Sequence, residues 1–236
     1  VTHGTDTLEE TAYLLDLLFD IRCPVVITGA MRSSNEIGSD GLYKFISSIR
    51  AASSSDANDK GVMVVFNDEI HTARNVTKTH TSNINTFQSP NQGPLGILTK
   101  DNVQFYNQPY KQQSLKIINY QLKVPLIKAY MGMESDIFNF YAQQNVDGIV
   151  IEALGQGNLP PSCLKGVQSC LNNNIPIVLV SRSFNGIVSP VYAYEGGGFQ
   201  LANNGLIFSN GLNGPKARLK LLVSLSNELN REQIKQ

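Results

Sequence analysis

Residues 24–66 read PVVITGAMRSSNEIGSDGLYKFISSIRAASSSDANDKGVMVVF. Residues 24–28 are a β-branched run, the mark of a buried strand. Gly29-Ala30-Met31-Arg32 follows as a loop. Ser39 or Asp40 stands where an N-cap belongs, which predicts a helix through about Ala52. Residues 53–60 are polar and read as a surface loop. Residues 61–66 form a second apolar run, again a buried strand. This order of strand, loop, helix and strand, with uninterrupted apolar strands, predicts an α/β fold whose parallel sheet is covered on both faces.

Upstream, Thr7-Leu8-Glu9-Glu10 matches a capping box, with Thr at the N-cap and Glu three residues on. Leu8, Ala12 or Tyr13, Leu15, Leu18 and Phe19 then recur at helical spacing. Downstream the pattern changes. Residues 67–96 are rich in Thr, Ser and Asn and lack periodicity, so they read as a long irregular segment, a kind that is usually functional or disordered. Residues 107–123 are polar and read as a linker. The alternation then restarts with a strand over 125–129, a helix over 138–144, a strand over 148–152, a helix over 164–172 and a strand over 175–180. A last helix over 214–229 has Ala217, Leu221, Leu222 and Leu225 on one face. The implied organisation is an N-terminal α/β domain over 1–106, a linker over 107–124 and a C-terminal α/β domain over 125–236. No internal repeat survives a count of matches.

Composition narrows the function classes. The chain has 236 residues, 42% of them apolar and 16% charged, enough for a core and against wholesale disorder. Nineteen basic residues balance nineteen acidic ones, so the basic excess that a broad nucleic-acid footprint needs is missing. No run approaches the roughly 20 apolar residues that span a bilayer. Cys23, Cys163 and Cys170 cannot all pair within one chain and form no CxxC, which reads as reduced thiols in a reducing compartment. His3, His71 and His80 form neither HxxxH nor HExxH, so no metal site is expected.

In such sheets ligands sit outside the carboxyl ends of strands, so the informative residues follow strands directly. Thr5 and Asp6 lie in a Gly-led loop between a strand end and a capped helix. Free N–H groups and the positive end of a helix dipole suit an anion or a developing oxyanion there. A Thr hydroxyl in that loop is a possible nucleophile or donor, although capping alone accounts for the loop. Lys78 sits among hydroxyls in Val76-Thr77-Lys78-Thr79-His80-Thr81. Burial would lower its pKa and make it a proton acceptor for a Thr hydroxyl; a solvated surface lysine is the commoner case. Gly155-Gln156-Gly157-Asn158 is half a dinucleotide fingerprint without its third glycine, and reads better as a flexible loop presenting the Asn158 amide. Gly196-Gly197-Gly198 lacks a following Lys-Ser/Thr pair and reads as a turn. Ser181, Ser183 and His3 give no Gly-x-Ser-x-Gly elbow.

Taken in order, several segments resemble the bacterial-type L-asparaginase family. They are residues 3–13 (HGTDTLEETAY), Gly29-Ala30-Met31-Arg32, Ser39-Asp40-Gly41, Asn67-Asp68, Val76-Thr77-Lys78-Thr79, Gly93-Pro94-Leu95-Gly96, Gly157-Asn158-Leu159, and Asn213 with Lys216-Ala217-Arg218. The ordered set covers essentially the whole chain. The resemblance implies a two-domain asparaginase-like fold with a larger N-terminal and a smaller C-terminal α/β domain. It implies hydrolysis of L-asparagine to L-aspartate and ammonia through a threonine nucleophile, with no metal and no organic cofactor. It places Thr5, Asp6 and Lys78 in a catalytic grouping. Thr5, Asp6, Ala30, Asn158 and Glu195 become substrate-binding residues: Asp6 for the α-ammonium, Ala30 through its carbonyl, Asn158 reaching in from a neighbouring subunit, and Glu195 as the neighbour's acidic residue. It also implies a homotetramer of dimers with shared sites.

The family begins with a Thr-Gly-Gly-Thr-Ile strand and loop that supplies its primary threonine nucleophile, a mobile lid with a Tyr and a carboxylate-binding Ser. Here the sequence starts at Val1, and Val1-Thr2-His3-Gly4-Thr5 reads as a strand end running into a loop. The expectation is a longer native protein, with the 236-residue piece alone inactive and poorly stable. A glutaminase-asparaginase of broader specificity is the first alternative, since one methylene separates the substrates. The amidase partner of a tRNA-dependent amidotransferase would bring an extra domain or a basic face. A non-catalytic amino-acid-binding module is the alternative if the short start is natural. No membrane or nucleic-acid partner is expected, and a cytoplasmic location is.

Overall fold

Two apolar runs of the N-terminal unit lie side by side. Val25–Ile27 (β1) and Val62–Phe66 (β2) pair in parallel, Val26 opposite Met63. All five residues of β2 are buried. Its side chains alternate between two cores, as strand geometry requires. Val62, Val64 and Phe66 pack with Leu8 and Ala12 of helix α1 (Leu8–Leu18), and Met63 and Val65 with Ala51 of helix α2 (Gly41–Ser53). The sheet is therefore covered on both faces.

The computed structural model describes residues 1–20, 22–110, 114–119 and 121–234. The chain divides into two units, Val1–Ser114 and Leu115–Gln236. The sheet of the first unit is mixed, correcting the all-parallel expectation. Strands β3 (Glu69–Thr72), β6 (Gly96–Leu98) and β7 (Val103–Phe105) continue it antiparallel in the order β1-β2-β3-β6-β7. The cause is a two-residue turn. Phe66 pairs with Glu69, and Asn67 and Asp68 between them have φ of 50° and 63°. Positive φ at both central residues is what a tight hairpin turn needs, and Asn and Asp tolerate it. The segment 67–96 is thus not irregular throughout. Besides β3 it holds a two-stranded ribbon of β4 (Thr77–Lys78) and β5 (Phe87–Gln88). Strands this short carry no readable period.

Helix α1 buries the expected Leu8, Ala12 and Tyr13 with Leu15 packed against the core, but at its C-terminal end Leu17 is buried in place of Leu18 and the exposed Phe19. Thr7 holds the N-cap position, but its side chain makes no cap bond and no capping box forms. Its backbone (φ −121°, ψ 15°) departs from the extended conformation that aims an N-cap hydroxyl at the helix. Asp40 likewise precedes α2 without capping it; its carboxylate is engaged elsewhere.

The second unit is a parallel sheet in the order β11-β10-β9-β8, with β8 Leu126–Lys128, β9 Ile149–Ala153, β10 Ile177–Ser181 and β11 Ile207–Phe208. Helices α3 (Asp136–Gln143) and α4 (Leu164–Asn172) set Phe138, Ala142, Val167 and Cys170 against Ile149, Ile151 and Leu179 on one face. Helix α6 (Gly214–Ser226) covers the other with Ala217 and Leu221 on Val150, Val178 and Val180, and Leu222 and Leu225 pack at the edge. Asn213 caps α6, its side chain accepting from the Lys216 N–H at 3.1 Å. Strand β11 and the short helix α5 (Gly198–Asn203) were not expected; Gly198 opens that helix instead of closing a turn.

Residues 107–110, 114–119 and 121–123 hold no helix or strand, and 111–113 and 120 of the expected linker lie outside the described residues. Cys23 is exposed, Cys163 and Cys170 are buried, and all three are free. No helix among the described residues is long and apolar enough to cross a membrane.

Candidate active site

The N-terminal strand end enters the sheet through a parallel bridge between Thr2 and Thr28, with the His3 N–H donating to the Thr28 carbonyl at 2.8 Å. The chain then leaves the sheet through Gly4, Thr5 and Asp6 and turns into α1. Gly29, just past β1, lies directly beneath this crossing. A Cβ there would stand 2.4 Å from the His3 carbonyl oxygen and 3.4 Å from Thr5 Cγ2. Only glycine admits so close an approach. His3 is fixed as well. Its Nδ1 donates to the Gly4 carbonyl at 2.7 Å, and its Nε2 is 3.0 Å from the Thr11 hydroxyl on α1.

Lys78 comes from β4, opposite Phe87 of β5, whose ring packs 4.6 Å from that of Phe66. Glu9 on α1 draws this ribbon in: its Oε1 accepts from the Thr77 hydroxyl at 3.2 Å and from the Lys78 N–H at 3.3 Å. The Lys78 side chain, 18% exposed, consequently reaches the Thr5 loop, while that of Asp6 is 96% exposed. Its Nζ lies 3.0 Å from Thr5 Oγ1 and 3.0 Å from Asp6 Oδ1. So exposed an ion pair adds little stability. Its chemical consequence is larger: it sets the Lys78 nitrogen within hydrogen-bond reach of the Thr5 hydroxyl, the placement that proton transfer between them requires.

Ala30 is exposed on the loop beside Thr5, next to Gly29. Asp40 holds that loop, accepting from the N–H groups of Met31 (3.1 Å) and Arg32 (2.9 Å). Burial alone would raise the Asp40 carboxyl, but the Lys44 hydrogen bond, these two N–H groups and the Lys44 charge hold it below its ordinary range.

Asn158 and Glu195 belong to a group of their own in the second unit. Asn158 follows a tight turn after β9 in which Gly155 and Gly157 have φ of 49° and 110°. The turn is pinned rather than loose: the Leu154 N–H donates to the Asn158 carbonyl at 3.0 Å, and Asn158 Oδ1 accepts from the Gly198 N–H at 2.9 Å. Glu195 is exposed on the turn ahead of Gly196, whose carbonyl accepts from the Leu159 N–H at 2.9 Å. The two loops are thereby laced together.

Of the expected residues, then, Thr5, Asp6 and Lys78 converge with Ala30 alongside, and Asn158 and Glu195 lie on two loops of the second unit that are bonded to each other. Glu9, Thr11, Asp40 and Lys44 were missed as supports. The one readable signal among them was the Asp40–Lys44 spacing, four residues apart on a helix. Among the described residues, no group of three His, Cys, Asp or Glu could hold a metal ion.

Comparison with known proteins gives the same outline. Residues 1–111 match the family model described as "Asparaginase, N-terminal", and residues 123–236 that described as "Glutaminase/Asparaginase C-terminal domain". The chain is 38% identical to a probable L-asparaginase of Deinococcus radiodurans over 239 residues, 100% of this chain and 73% of that protein. It is 36% identical to an L-asparaginase of Bacillus licheniformis over 227 residues, 96% of this chain and 70% of that one. A glutamyl-tRNA(Gln) amidotransferase component of Methanococcus maripaludis is 31% identical over 244 residues, 96% of this chain and 57% of that protein. With both family models matched in order along it, the chain belongs to the asparaginase family.

Proposed function

We propose that the protein is an amidohydrolase that converts L-asparagine and water to L-aspartate and ammonia. The observation that carries this reading is the position of Lys78 Nζ, 3.0 Å from both Thr5 Oγ1 and Asp6 Oδ1. Family membership and relatives named L-asparaginase support it. In this reading a threonine oxygen adds to the side-chain amide carbon. Lys78, as the amine, takes the proton of the Thr5 hydroxyl. That proton returns to the leaving nitrogen, ammonia departs, and water releases the acyl group as aspartate. Asp6 binds the substrate α-ammonium, and the Ala30 carbonyl accepts from the amide.

The same reading places Asn158 and Glu195 across a subunit boundary, in a homotetramer built of dimers with shared sites. Glutamine is the competing substrate. A pocket discriminates one methylene by only about 1–3 kcal/mol, so the ratio of the two turnover rates names the enzyme. The test is ammonia release by the full-length protein and its Lys78→Met variant. Turnover falling by about a hundredfold or more supports the proton role; unchanged turnover refutes it.

A further inference from the structure

A buried charge pair lies between the loop that carries Ala30 and the ribbon that carries Lys78. Lys44, on α2, is 2% exposed. Its ammonium donates to Asp40 Oδ2 and, at 2.9 Å, to the carbonyl of Ile84, and it stands 3.6 Å from the centre of the Phe66 ring. Each contact leads to a different part of the candidate site. Asp40 grips the Met31 and Arg32 N–H groups, one and two residues past Ala30. Ile84 lies in the connection between β4 and β5. Phe66 packs on Phe87, the strand partner of Lys78.

A buried ammonium is costly unless its donors are satisfied. Here a carboxylate, a carbonyl and a ring face receive it. An apolar side chain of similar volume would fill the space without the desolvation penalty. Packing therefore does not account for a charge at this position, whereas orientation does, because a three-way polar junction has one geometry and an apolar filler has many.

We propose that Lys44 is a positioning residue that holds the Ala30 loop and the Lys78 ribbon in fixed register. It sets the group that receives the substrate amide against the group that moves the proton. This rests on the amidohydrolase reading of Thr5, Asp6 and Lys78.

The test combines ammonia release from L-asparagine with amide hydrogen exchange resolved by peptide, on full-length protein carrying Lys44→Met. Asp40→Asn, which keeps shape and one acceptor oxygen, takes its place if Lys44→Met does not fold. The expected result is exchange faster by about tenfold in residues 29–32 and 79–86, with α1 and the second unit as in wild type. With it, kcat falls about tenfold or more while KM moves by less than about threefold. Wild-type exchange in both segments, uniformly faster exchange everywhere, or unchanged kcat would overturn the proposal. No ammonia from wild type would sink the amidohydrolase reading alone, and the exchange comparison would still decide whether Lys44 ties the two segments.

Discussion

Residue by residue, the candidate site depends on close approaches more than on strong bonds. Gly29 is the clearest case. A methyl group 2.4 Å from the His3 carbonyl oxygen cannot be accommodated without backbone movement. Gly29→Ala should cost about 1–3 kcal/mol and displace Thr5 as well; a urea midpoint equal to wild type would count against this packing. The thiols offer a second check. Burial pushes the Cys163 and Cys170 thiols up to about 11, while Cys23 is exposed. The thiolate is the reactive form, so native protein near neutral pH should react at Cys23 alone, and denatured protein at all three. Little of this scale was legible in the sequence. Thr5 and Lys78 are 73 residues apart, and no spacing rule joins them; family resemblance did. Asp40 reads as an N-cap and the capping box singles out Glu10, yet the Asp40 and Glu9 carboxylates hold backbone outside their own helices, and a local motif cannot register such partners.

At the scale of elements, length governs what the sequence reveals. Helix α4 occupies the predicted span, Leu164–Asn172, because nine residues suffice to show a period. Strands β4, β5 and β11 have two residues each and show none. The parallel expectation failed at one turn, Asn67-Asp68, where two residues tolerant of positive φ follow an apolar run directly. The polar residues that follow Asn67-Asp68 mask that signal. The side-chain cap that forms is one the local pattern did not single out. Thr7 and Asp40 do not cap by side chain, whereas Asn213 does. Asn213→Ala should therefore destabilise the second unit by about 1 kcal/mol, while Thr7→Ala should leave helix stability nearly unchanged. Equal losses in thermal unfolding of the two variants would contradict that difference.

For the whole molecule, the α/β class and the order of strands and helices in the second unit follow from apolar runs separated by helical patterns, and the structure keeps them. The proposed shared site predicts complementation in trans. If Asn158 serves a neighbour's Thr5, then Thr5→Ala and Asn158→Ala chains, each weak alone, should regain part of wild-type turnover when co-expressed, because mixed assemblies contain sites with both native residues. Activity equal to the sum of the two variants would remove Asn158 from a shared site.

Ammonia release from L-asparagine and L-glutamine, by full-length protein beside its Thr5→Ala variant, tests the central claim most directly. Release from asparagine that Thr5→Ala lowers by about a hundredfold or more is the predicted result. Release that Thr5→Ala leaves intact, or no release from either amide, would contradict it.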